Sequence, residues 1–153
     1  MAAARRAIDS ARTVTDLAPM KIDIETPGQD PYETLNARLV DFNRTKVNWG
    51  TAAFTVVLRD EDGSVRGGAH GVVRMGAVEI RSVWVDGDLR GRGFGAKIIR
   101  AVEDEARRLG ARAALLDSYE FQARGFYERL GYKPFGSFAY PDGVSRCYLS
   151  RDL

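Results

Sequence analysis

The sequence predicts an α+β fold, a mixed and mostly antiparallel sheet in three layers with flanking helices. Three observations predict it. Strand-like runs between residues 54 and 85 follow one another through tight turns. A single strand–loop–helix–strand unit comes next, and a hairpin closes the chain.

The elements read in order as follows. Lys21-Ile22-Asp23-Ile24-Glu25 alternates as a strand. Asp30-Pro31-Tyr32-Glu33 opens a helix, with Asp as N-cap, Pro first and Glu third. Leu35, Leu39 and Phe42 share one face of it, to about Arg44. Phe54 to Leu58 is a strand, Asp60-Glu61-Asp62-Gly63 a hairpin turn, and Val65 to Met75 its partner. Gly76 permits a second turn into Val78 to Val85. Ile98, Ile99, Val102, Ala106 and Leu109 form a helical stripe that Gly110 ends, with Glu103–Arg107 and Asp104–Arg108 pairs expected in water. Ala113 to Leu116 is a short buried strand, Phe121 to Leu130 a helix stopped by Gly131. The last hairpin runs from Tyr132 to Tyr140 and Val144 to Leu149.

At 153 residues the chain suits one domain of about 20–153, preceded by a loose tail over 1–19 that is rich in Ala, Arg, Ser and Thr. Met20, directly before the first strand, is an alternative start. Lys+Arg 23 against Asp+Glu 21 leaves +2, too balanced to argue for nucleic acid. No apolar run reaches the ~20 residues of a membrane span, and no apolar secretory segment opens the chain. The single Cys147 forms no internal disulfide, which fits a reducing cytoplasm. One histidine, His70, and no cysteine pair give no metal-ligand spacing; His70 reads as a packed or exposed strand residue.

The chemistry concentrates in Val83-Trp84-Val85-Asp86-Gly87-Asp88-Leu89-Arg90-Gly91-Arg92-Gly93-Phe94-Gly95-Ala96. A strand, an acidic turn, a glycine loop and a helix start in that order present free backbone N–H groups and a helix dipole to an anion. Gly91-x-Gly93-x-x-Ala96, with Asp117 about 20 residues on, formally matches a dinucleotide fingerprint. The context disfavours it. Five residues separate strand from loop, and one strand–helix–strand unit is too little for a doubly wound sheet.

Arg90-x-x-Gly93-x-Gly95 resembles the Arg/Gln-x-x-Gly-x-Gly/Ala loop of the GNAT N-acetyltransferase superfamily. Phe126-Tyr127-Glu128-Arg129-Leu130-Gly131-Tyr132 resembles that superfamily's FYEKLGY segment, one helix and one strand further on. The resemblance spans about Met20 to Leu153 and includes the order of elements. It implies acetyl transfer from acetyl-CoA to a primary amine of a small molecule or peptide, directly in a ternary complex. It also implies that the cofactor enters where two parallel central strands, ending at Val85 and Leu116, splay apart.

The resemblance further implies the site. Val83, Trp84 and Val85 offer main-chain groups to the acetyl carbonyl and pantetheine. Arg90, Gly91, Arg92, Gly93, Phe94, Gly95, Ala96 and Lys97 hold the pyrophosphate, and Gln122 stands where members often carry an asparagine. Tyr127 matches the tyrosine that protonates the departing thiolate. Glu79, four residues before Val83 and so expected on its face, is the base candidate, with a water relay as the open alternative. Cys147 has no base beside it in sequence and reads as packing, so no acyl-enzyme is expected. Acceptor recognition is expected from 43–50 and 135–144, with Trp49, Phe135, Phe138, Tyr140, Asp41 and Asp142. A non-catalytic acyl-CoA sensor, a dinucleotide module and a homodimeric scaffold remain as alternatives.

Overall fold

A computed structural model describes residues 20–26, 28 and 31–153. The expected tail and the proposed Asp30 cap lie outside these residues. The elements are α1 (Tyr32–Arg44), β1 (Thr51–Arg59), β2 (Val65–Arg74), β3 (Ala77–Val85), α2 (Phe94–Arg108), β4 (Ala113–Tyr119), α3 (Arg124–Arg129), β5 (Lys133–Ala139) and β6 (Ser145–Asp152), with a 3-10 turn at Gly87–Leu89. The fold class is the one expected: one six-stranded sheet in the order β1-β2-β3-β4-β6-β5. Every neighbouring pair is antiparallel except β3 and β4.

The chain divides into two units, Met1–Arg38 and Leu39–Leu153. In the first, residues 20–26 form no strand, contrary to the alternation read there. Ile22 and Ile24 are 96% and 101% exposed, and a strand without a ladder partner or buried side chains has nothing to hold it. In α1 the stripe Leu35, Leu39 and Phe42 forms on one helix but stays exposed.

The second unit carries the sheet. On one face of it Val73, Val78, Ile80, Ala114, Leu116 and Leu149 meet Ile98, Ile99, Val102 and Ala106 of α2, and Tyr127 of α3 joins the same core. The α2 stripe is thus the one the periodicity gives. Burying each of these aliphatic side chains is worth about 1.5–3 kcal/mol, which is what fixes α2 on the sheet.

Glu103 departs from expectation. It does not face water but is 2% exposed, because it stands one turn after the fully buried Ile99 on the inner face of α2. It accepts a hydrogen bond from the Tyr132 hydroxyl at 2.9 Å, and Arg151 Nη1 reaches both its oxygens at 3.2 and 3.3 Å while donating to the Leu130 carbonyl at 2.8 Å. The expected Glu103–Arg107 pair is kept at 3.9 Å, while Arg107 also joins Asp104 at 2.8 Å and Arg108 joins Glu105 at 2.6 Å in place of Asp104. Glu103 therefore ties α2 to the end of α3 and to β6. Replacing Glu103 by Ala is expected to lower unfolding stability by about 3 kcal/mol, since it strands a phenol and a guanidinium. Urea denaturation, with Tyr132→Phe as the milder comparison, measures it.

Candidate active site

β3 and β4 pair over only three residue pairs, Ala77↔Ala113, Val78↔Ala114 and Glu79↔Leu115. Beyond them both strands continue, to Val85 and Tyr119, without a shared ladder. The main-chain groups that β3 turns toward β4 between Ile80 and Val85 are left without a strand partner, and unpaired backbone groups at a wall want a ligand or water. The wedge opens into a cleft of about 760 Å³, lined by β3 from Ile80 to Val85, the loop from Arg90, the start of α2, β4 from Leu116 to Tyr119, and Tyr127 and Arg129 of α3.

A bulge in β3 shapes the wall. Register between β2 and β3 slips between Gly68 and His70, so Arg81 faces His70 while Trp84 faces Gly68. The extra residue falls at Ser82, whose φ of +49° is the left-handed region that a non-glycine residue enters only at a cost. Side-chain parity reverses there. Val78 and Ile80 face the core before the bulge, and Val83 and Val85 pack against the same core after it. Glu79 therefore does not share a face with Val83, as simple alternation over four residues implied. It points to the opposite face, outside the cleft, where Arg81 Nη2 donates to it and Arg74 Nη2 lies 3.6 Å away. Ser82 was missed in the sequence, although the break from Val78 and Ile80 to Val83 and Val85 signals the slip.

The glycine loop forms a turn from Arg90 into α2. Gly91 and Gly93 take φ of +71° and +85°, which requires glycine, and open space lies where their Cβ atoms would be. Gly93 caps α2 with no side-chain hydrogen bond, so the first N–H groups of the helix remain available to an anion. Gly95 serves another purpose: a Cβ there would stand 3.2 Å from the Phe126 ring, so its absence lets α2 and α3 meet at the cleft. Arg90 does not reach outward. Its Nε donates to the Val85 carbonyl at 2.9 Å and its guanidinium lies 4.6 Å from the Trp84 ring, bracing the loop against the strand. Arg92 and Lys97 are exposed, with Lys97 Nζ 5.4 Å from the Phe94 ring. Ala96 lines the cleft.

Asp86 and Asp88 stand beside this anion-binding loop and would repel an anion. Arg66 offsets part of that charge: its Nε donates to Asp86 at 2.8 Å and its Nη2 to both oxygens of Asp88 at 2.8 and 2.7 Å. The guanidinium's hydrogen bonds hold both carboxyls below their ordinary range. Asp86 also accepts from Trp84 Nε1 at 2.9 Å, which orients the indole beside the cleft.

Across the cleft, Tyr127 is 7% exposed. Burial first, and the Asp117 carboxylate second, push its phenol above the ordinary value near 10, so it stays protonated at neutral pH. The helix carrying it is shorter than the apolar pattern suggested. Phe121 to Ala123 form a turn in which the Gln122 side chain accepts from Tyr119 N at 2.9 Å and Ser118 Oγ accepts from Ala123 N at 3.3 Å. Gln122 lines the cleft beside Tyr119 and Phe121, whose rings stack at 5.4 Å. Asp117, also in the lining, is gripped by Arg146 through contacts of 2.7 Å to each oxygen. Tyr119 and Phe121 were not singled out in the sequence; aromatic residues in a turn carry no pattern that separates a wall from a cap.

The remaining sequence candidates lie elsewhere. Trp49 sits 5.6 Å from the Arg74 guanidinium, and Phe138 meets Tyr140 edge-on at 4.9 Å. His70 Nδ1 is 3.0 Å from Thr55 Oγ1. Cys147 is buried and free. Among the described residues no three His, Cys, Asp or Glu side chains group to hold a metal, and no helix is long and apolar enough to cross a membrane.

A splayed parallel pair, a bulged wall and a glycine loop opening a helix together form a cleft suited to an elongated ligand that carries an anionic group. The acetyltransferase (GNAT) family model matches residues 20–132, and the chain belongs to that family. It is 35% identical over 95 residues to a blasticidin-S acetyltransferase of Streptomyces morookaense, covering 61% of this chain and 70% of that one. An acetyltransferase of Agrobacterium fabrum is 33% identical over 110 residues, covering 71% and 75%. The crystal structure of an acetyltransferase from Bacillus cereus superposes with a TM-score of 0.77 at 27% identity, over 86% of this chain and 98% of that one.

Arg66→Gln is expected to lower the melting temperature, because Asp86, Asp88 and Asp60 of the β1–β2 turn, 3.4 Å from Arg66 Nη1, lose their common cation. Added salt should recover part of the loss by screening, at a Debye length of about 8 Å in physiological salt. A melting curve measured against ionic strength checks it.

Proposed function

We propose that this acetyltransferase takes acetyl from acetyl-CoA and passes it directly to a primary amine of a small molecule or peptide in a ternary complex. The observation that carries the reading is the run of open N–H groups from Gly91 to Gly95 at one end of a cleft whose other side presents a buried, protonated Tyr127. A diphosphate held at the loop lays its pantetheine arm along the unpaired edge of β3, where Val83 and Val85 supply main-chain groups. The thioester then reaches the zone between the bulge and Tyr127.

The neutral amine's lone pair attacks the carbonyl carbon, the C–S bond breaks, the thiolate takes the proton of the Tyr127 hydroxyl, and the phenolate is reprotonated from solvent. A coenzyme thiol is acidic enough that a nearby O–H eases its departure. The attacking nitrogen loses its own proton to water or to Glu79. The ion pairs of Glu79 with Arg74 and Arg81, and its place on the far face, favour water. Gln122 has its amide nitrogen free of partners among the described residues and stands ready to donate to the pantetheine. Trp84, Tyr119 and Phe121 form the apolar wall for the acceptor. Blasticidin S, the compound named for one relative, is the first acceptor to try.

The test is an amine-panel assay with acetyl-CoA that follows free thiol. Release that depends on an added amine supports transfer; binding of acetyl-CoA with no release on any amine supports a sensor instead. Tyr127→Phe is expected to keep donor affinity and lower kcat about ten- to a thousandfold. Unchanged kcat removes Tyr127 from the chemistry. With its phenol shifted upward, Tyr127 is protonated throughout its ordinary neutral range, so wild-type kcat should show no descending limb from its ionisation below about pH 10. Glu79→Gln should leave the acidic limb of kcat/KM in place if water takes the proton, and abolish it if Glu79 does.

A further inference from the structure

Most guanidiniums in the sheet unit have a partner. Arg66, Arg81, Arg107, Arg108, Arg124, Arg146 and Arg151 are ion-paired, Arg74 lies beside Glu79, and Arg90 is bonded to the Val85 carbonyl. Arg92, Arg100, Arg112 and Arg129 have no side-chain hydrogen-bond or ion-pair partner among the described residues, and of these Arg100 and Arg129 occur together. Both line a second cavity of about 190 Å³ with Ile99, Glu103, Leu130 and Arg151. Its one carboxylate, Glu103, is already matched by Arg151 and by the Tyr132 hydroxyl, so two positive charges there are unbalanced. Arg129 also lines the main cleft, so the small cavity adjoins it at that side chain.

We propose that Arg100 and Arg129 form a phosphomonoester site at the back of the cleft, which takes the ribose phosphate of coenzyme A. This rests on the donor reading above. Three points support it. The donor carries, beyond the diphosphate assigned to the glycine loop, a separate dianionic phosphate. Two unpaired guanidiniums are the side chains best matched to phosphate geometry. The path from the loop runs between α2 and α3, which the missing Cβ of Gly95 brings together against Phe126, and Arg100 and Arg129 are placed further along those two helices. The site makes the enzyme selective for the phosphorylated carrier over its dephosphorylated form.

Isothermal titration of the full chain with acetyl-CoA and with 3′-dephospho-acetyl-CoA tests it, using wild type, Arg100→Gln, Arg129→Gln and the double variant. The expected result is at least about tenfold tighter binding of the phosphorylated carrier to wild type. That ratio should shrink in each single variant, approach one in the double variant, and fall with added salt, as charge-assisted contacts require. Adenosine 3′,5′-bisphosphate should compete with acetyl-CoA better than adenosine 5′-diphosphate does. Equal binding of the two carriers to wild type, or a ratio that survives in the double variant, overturns this inference and leaves the donor reading intact. Failure of both carriers to bind wild type overturns the donor reading and this inference with it. Far-ultraviolet circular dichroism confirms that each variant is folded; both side chains are exposed, so the substitutions leave the core untouched.

Discussion

The parting of β3 from β4 is the constraint on which the rest depends. A parallel ladder that stops at Glu79 and Leu115 leaves two long strands with unanswered main-chain groups facing each other. Inside a closed sheet that arrangement would be costly, because buried N–H and C=O groups without partners lose their hydration and gain nothing. It is tolerable only where a ligand or solvent enters. The outer edges of the gap are held by ordinary antiparallel pairing, β2 with β3 and β4 with β6, so the opening is kept rigid by the sheet on either side. The bulge at Ser82 adds a second adjustment. It turns Val83 and Val85 toward the core and frees the strand's edge at the level of the cleft.

Electrostatics around the wedge follow from the same demand. A loop of open amides directly after Asp86 and Asp88 can attract an anion only if that negative charge is reduced, and Arg66 from the neighbouring strand offsets part of it through Nε and Nη2. Arg90 is consumed in bracing the loop, which leaves the loop's backbone amides open. Backbone donors fixed by a turn lose no side-chain entropy when an anion binds them. Tyr127 sits opposite in a dry setting that keeps its proton in place.

Much of this was legible in the sequence. The glycine loop, the α2 stripe of Ile98, Ile99, Val102 and Ala106, and the FYER segment ending at Gly131 each carry a local pattern whose period or turn chemistry belongs to one structure. The order of elements follows from them. What escaped depended on contacts between distant residues. Glu103 looked like half of a surface ion pair, because its partners Tyr132 and Arg151 lie 29 and 48 residues away. Glu79 was put on the wrong face, since alternation assumes an unbroken pleat and Ser82 breaks it. Residues 21–25 alternate without forming a strand, which shows that alternation describes compatibility with a sheet and not the presence of a neighbour. The aromatic wall of Tyr119 and Phe121 comes from a turn closed by Gln122, a side-chain contact with no periodic signature.

The most direct measurement is a map of backbone amide resonances in labelled protein as coenzyme A is added. The account predicts that large shifts cluster on residues 83–96 and on the 122–129 segment, while β1 and β5 stay unmoved. Shifts concentrated elsewhere in the sheet, or none at saturating coenzyme A, would contradict it.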